Sequence, residues 1–135
     1  MAANKTIYLA DDDYDDRELW IDAIKSIDSG IRIIEAEDGK ELLKILQSES
    51  PSANSLLLLD VNMPKMNGFE TLAKIRSTPH LSWLQTIIIS TASEADIKDT
   101  AKKFGPINFF TKPKRMDELH SLANHLVSKV ALKQE

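Results

Sequence analysis

No cysteine occurs in the 135 residues, which excludes disulfides, thiolate nucleophiles and zinc–sulfur sites. Basic charge is also short. Seventeen lysines and arginines stand against 21 acidic residues, a net charge of −4, so no general nucleic-acid or membrane surface is expected. No apolar run approaches transmembrane length, and the opening "MAANKT" lacks the apolar stretch of a signal peptide. A soluble cytoplasmic protein is the expectation. Chain-breaking residues are few: four glycines (30, 39, 68, 105) and five prolines (51, 64, 79, 106, 113).

What remains is strongly patterned. Five short apolar runs stand out: "TIYLA" (6–10), "IRIIEA" (31–36), "SLLLLD" (55–60), "TIIIS" (86–90) and "INFF" (107–110). The unbroken "LLLL" and "III" suit strands buried on both faces. Between the runs lie stripes at helical spacing: Leu19, Trp20, Ala23, Ile24 and Ile27; then Leu42, Leu43 and Leu46; then Leu72 and Ile75. The last and cleanest is Leu119, Leu122, Ala123, Leu126 and Val130. Every glycine and proline falls in a connection between runs and stripes. Strand and helix alternate five times, which predicts an α/β domain with a parallel sheet covered by helices on both faces. At this length one domain spanning 1–135 is expected, its core at about 5–132, with no output domain.

In a parallel sheet, functional groups collect at the carboxyl ends of the strands. The first run ends in Asp11 and Asp12, and the third in Asp60. Thr91 follows the fourth, and Lys112 the fifth. Three carboxylates brought together raise one another's pKa, and a hard divalent cation relieves the repulsion; oxygen donors suit Mg²⁺. A metal beside a carboxylate, an ammonium and a hydroxyl makes a site for a phosphoryl group, with the carboxylate as nucleophile.

The residues "LADDD" (9–13), "AEDGKELL" (36–43), "LLLLDVNMPKMNGFETL" (56–72), "IIISTAS" (87–93) and "FFTKP" (109–113) resemble the receiver domain of two-component response regulators, in order and spacing, over nearly the whole chain. The resemblance implies a doubly wound (βα)5 flavodoxin-like fold with strand order 2-1-3-4-5. It implies that Asp60 accepts a phosphoryl group from a histidine kinase or histidine phosphotransfer protein. Asp11, Asp12 and Asp60, with the backbone carbonyl of Asn62, would hold Mg²⁺. Thr91 and Lys112 would contact the phosphoryl group, and Phe109 would be the aromatic switch. A cis Lys112–Pro113 bond is also implied. Output would pass to a downstream protein, or through a homodimer, on the face of the fourth helix, fifth strand and fifth helix.

Two other classes compete with this signalling phosphoacceptor, which is not expected to be an enzyme in its own right. An aspartate-dependent phosphohydrolase, similar to the haloacid dehalogenase type, needs an acid two residues after its nucleophile. Asn62 stands there instead. A degenerate receiver acting only as a binding module would lack part of the set, and here all of it is present. Departures from the usual pattern are Tyr14 for a frequent proline, Gln85-Thr86 before the fourth strand and Gly105-Pro106 before the fifth.

The acidic stretch "DDDYDD" (11–16) then divides. Asp11 and Asp12 are expected to bind metal, Asp13 to cap the first helix, and Asp15 and Asp16 to face the positive end of its dipole. Arg17 is expected to offset part of the repulsion. His120 and His125, five residues apart, do not form the i, i+4 pair that a metal would need. Trp20 and Trp83 read as packing residues, with Trp83 a candidate partner contact.

Overall fold

In a computed structural model, residues 5–91, 99–100, 102–104 and 108–131 are described. Five strands, β1 (Thr6–Ala10), β2 (Arg32–Ala36), β3 (Ser55–Asp60), β4 (Gln85–Ser90) and β5 (Asn108–Thr111), alternate with helices. The helices are α1 (Tyr14–Ile27), α2 (Gly39–Ser48), α3 (Gly68–Ser77) and, after β5, α4 (Met116–Ala131), and a 3-10 turn covers Lys102–Phe104. All strand pairs are parallel, in the order β2-β1-β3-β4-β5. This is the doubly wound, flavodoxin-like order expected. The helix expected between β4 and β5 falls mostly on 92–98, and Gly105-Pro106 on 105–107, outside the described residues.

The three inner strands are buried almost throughout, as unbroken apolar runs require, whereas the edge strands β2 and β5 are half exposed. The sheet divides the core. On one side Tyr8, Leu57, Leu59 and Ile88 meet Leu42, Leu46, Leu72 and Ile75 from α2 and α3. On the other, Ile7, Leu9, Leu58 and Ile89 meet Trp20, Ala23 and Ile24 of α1 and Leu119, Ala123, Leu126 and Val130 of α4. Leu19, counted in the first stripe, is instead 43% exposed. Trp20 is a packing residue, as expected.

Helix starts follow local chemistry. The side chain of Asp13 caps α1 by accepting from the amides of Asp15 (2.9 Å) and Asp16 (3.2 Å), as expected. Asp38 caps α2, and Asn67 with Glu70 forms a reciprocal capping box on α3. Among the described residues no helix is long and apolar enough to cross a membrane.

Candidate functional site

The site lies at the carboxyl edge of the sheet, where β1, β3 and β5 end. Asp11 follows β1, its amide donating to the Ala36 carbonyl at 3.0 Å. Its Oδ1 turns back to accept from the Asp13 amide at 2.9 Å, fixing the tight passage into α1. Asp60 closes β3, and its Oδ1 accepts from the Asn62 amide at 3.0 Å. Both aspartates are fully buried.

Past Asp60 the chain is anchored sideways: the Val61 amide donates to Ile89 O and the Gly68 amide to Val61 O, each at 3.0 Å. Gly68 is required by a close approach. A Cβ there would lie 2.6 Å from the Asp60 carbonyl oxygen and 2.7 Å from Val61 Cα. The "NG" of the motif thus caps α3 and lets its first turn press against the backbone that carries Asp60. Lys65, at φ 65°, makes the loop's sharp turn in the left-handed region.

The oxygens of Asp11, Asp12 and Asp60 include one from each residue that lie within 4.8 Å of one another. Asp12 is the exposed member. Lys112, just past β5, reaches in from the far side. Its amide donates to Ser90 O at 2.9 Å, and Nζ lies 3.2 Å from Asp11 Oδ2, 3.1 Å from Asp60 Oδ2 and 3.0 Å from Asp16 Oδ2. Among the described residues, only the Asp16 contact has hydrogen-bond geometry. Asp11 Oδ2 and Asp60 Oδ2 touch the ammonium as charges but accept no hydrogen bond among the described residues. Two buried carboxylate oxygens left in this state, beside a third carboxylate, fit a hard divalent cation.

The electrostatics agree. Burial pushes the Asp60 carboxyl up to about 6, further raised by the Asp11 charge and opposed by the Asn62 amide and Lys112. Burial likewise raises Asp11. Burial alone would depress the Lys112 ammonium, but the hydrogen bond to Asp16 and the charges of Asp11 and Asp60 outweigh it and raise its pKa.

Residues 7–124 match the response regulator receiver domain. The chain belongs to that family. The receiver is 32% identical over 111 residues to an uncharacterized 14.6 kDa protein of Leptolyngbya boryana, covering 82% of this chain and 81% of that one. It is 27% identical over 128 residues to response regulator Rcp1 of Synechocystis sp., covering 92% and 87%. Among solved structures, the phosphorylated cyanobacterial phytochrome response regulator RcpA aligns with a TM-score of 0.80 at 28% identity, covering 92% of this chain and 91% of RcpA. The Mn²⁺-bound form of Rcp1 aligns with the same TM-score at 27% identity, covering 92% of each chain.

Not every expected residue meets the carboxylates in the way anticipated. The receiver's Thr91 is exposed, and its hydroxyl donates at 3.4 Å to the side-chain Oδ1 of Asn62, which also accepts from Ser90 Oγ at 3.2 Å. The Asn62 side chain therefore ties the ends of β3 and β4 together, a contact separate from the metal role expected of its backbone carbonyl. Phe109 is half-buried against the α2–α3 core, whereas Phe110 faces the other layer and meets the His125 ring edge-on, centroids 5.5 Å apart.

Arg17 forms its ion pair with Glu35 of β2, at 2.9 Å, and donates to the Asp11 carbonyl at 2.7 Å, so its positive charge lies beside the acidic stretch without an ion pair to an aspartate among the described residues. The Lys112–Pro113 bond is trans, which corrects the cis expectation. Trans is the favoured isomer even before proline, and Lys112 reaches its carboxylates with it. Asp16 does more than face the helix dipole, the role its position in the first turn suggests: it holds Lys112. The signal was present, since position 16 lies four residues before the buried Trp20 and so on the packed face of α1.

Proposed function

We propose that this receiver is a phosphoacceptor switch of a two-component phosphorelay, with Asp60 as the acceptor. The observation that carries the reading is the pairing of a buried Asp60 carboxylate with Lys112 at 3.1 Å, next to Asp11 and Asp12. An Asp60 oxygen attacks phosphorus of a phosphohistidine on a histidine kinase or phosphotransfer protein. The new P–O bond forms as the P–N bond breaks, and the imidazole leaves with the bonding electron pair. Asp11, Asp12, Asp60 and the Asn62 carbonyl would hold Mg²⁺, which when bound supplies positive charge to the phosphoryl oxygens.

Lys112 supplies the protein's own cation to the same oxygens, and Thr91, released from Asn62, supplies a hydroxyl donor. The added charge biases the domain between two conformations. Phe109, on the strand that carries Lys112, relays the change to the outer face of β5 and the last helix. A downstream protein, or a second copy of the chain, would read that face in the cytoplasm. The phosphohydrolase reading gains nothing: the Asn62 side-chain carboxamide, whose Oδ1 accepts from Ser90 and Thr91, cannot act as a general acid.

The test is incubation with acetyl phosphate and Mg²⁺ followed by intact mass. Wild type is expected to gain one phosphoryl group and Asp60→Asn none. No gain on wild type, or equal gain on both, refutes the assignment.

A further inference from the structure

Asp16 contributes something beyond the helix dipole. The Asp13 cap fixes the first turn of α1, and Trp20, one turn on, is buried against the layer that α4 also packs on. That places Asp16 at the top of the packed face, directed at Lys112 from 96 residues away in sequence. Among the described residues it is the only one of Lys112's carboxylate contacts with hydrogen-bond geometry, and its side chain is 36% exposed where Asp11 and Asp60 are sealed.

We propose that Asp16 is a positioning residue that competes for Lys112 and thereby restrains phosphorylation of Asp60. The inference rests on Asp60 being the acceptor. An ammonium has three N–H donors, and the one committed to Asp16 is withheld from the oxygens of an incoming phosphoryl group. Asp16 also adds a fourth negative charge to Asp11, Asp12 and Asp60, against a donor that is itself anionic. Both effects act in the same direction. The competing picture, in which Asp16 merely anchors Lys112 for catalysis, has the opposite sign.

The experiment compares initial rates of labelling by acetyl phosphate with Mg²⁺ for wild type, Asp16→Asn, Asp16→Ser, Asp16→Glu and Asp15→Asn. Asp15→Asn removes the same charge from the same helical turn without touching Lys112. Both neutral Asp16 variants are expected to label roughly threefold to tenfold faster than wild type, an effect of a part-exposed charge at close range. Asp16→Glu is expected to stay near wild type, and Asp15→Asn to change by less than about twofold.

Added salt should accelerate wild type more than Asp16→Asn, because it screens a repulsion the variant lacks. Beryllofluoride with Mg²⁺, a phosphoryl mimic that needs no turnover, should bind Asp16→Asn more tightly by a similar factor. Neutral Asp16 variants that label at or below the wild-type rate overturn the inference, as does an equal acceleration by Asp15→Asn. A wild type that never labels overturns the acceptor reading instead.

Discussion

Replacing Asp60 by asparagine should stabilise the metal-free protein, and the gain should depend on pH in a calculable way. Asn keeps the size of the side chain and an oxygen to accept from the Asn62 amide, but removes a buried charge. In the folded chain the Asp60 carboxyl is raised from 3.8 to about 6. A raised carboxyl means that the unfolded chain gives up its proton at a lower pH than the folded one. The contribution of Asp60 to stability is therefore fully present below pH about 4, and lost as pH rises to about 6. A gap of about 2 pKa units at about 1.4 kcal/mol each comes to roughly 3 kcal/mol. Asp60→Asn should thus match wild type at pH 4 and exceed it by roughly 2–3 kcal/mol at pH 8, or about 10 °C in Tm for a domain of this size. The assay is urea unfolding with EDTA across this pH range, with m-values checked for equality. Adding Mg²⁺ should then narrow the margin, because the cation binds the wild-type carboxylates better. A variant no more stable than wild type at pH 8, or one with the same margin at both pH values, refutes the reasoning.

Three further outcomes follow from the same geometry. Lys112→Ala leaves Asp11 and Asp60 buried without their cation, so the metal-free protein should lose about 3 kcal/mol and recover part of it on adding Mg²⁺, both read by chemical denaturation. Asn67→Ala removes the α3 capping box and should cost about 1 kcal/mol, whereas Gly68→Ala drives a methyl into the Asp60 backbone and should cost about 2 kcal/mol or more; equal unfolding midpoints for the two would contradict the close approach. Labelling by acetyl phosphate should fall as pH drops through about 6 at low Mg²⁺ and through a lower pH at saturating Mg²⁺, because the nucleophile must be ionised and the cation favours that form; a flat profile from pH 8 to 5 would count against Asp60.

Much of this was legible locally. "TIYLA" and "SLLLLD" are β1 and β3 to the residue, because a strand buried on both faces is apolar throughout and stops where polar chemistry begins. Asp13 announced its capping role because capping is a matter of two or three residues. The contacts that eluded sequence reading are those that depend on which strand lies beside which and which way a helix faces. Arg17 of α1 reaches Glu35 of β2, and Lys112 after β5 reaches Asp16 of α1, contacts between elements 18 and 96 residues apart. The link from Thr91 to the Asn62 side chain likewise joins the ends of two strands through an amide that no local pattern singles out.

The sheet also distributes its charges unevenly. Asp60 ends β3, which is hydrogen-bonded to neighbours on both sides, while Lys112 hangs from β5, which is bonded to β4 alone. The acids are bolted to the middle of the plank and their counter-charge to its rim. Sliding or peeling β5 by an ångström would stretch the 3.1 Å contact between Lys112 and Asp60 while leaving the centre of the sheet in place. A shift at the rim of the sheet would therefore change the charge felt by a carboxylate at its centre.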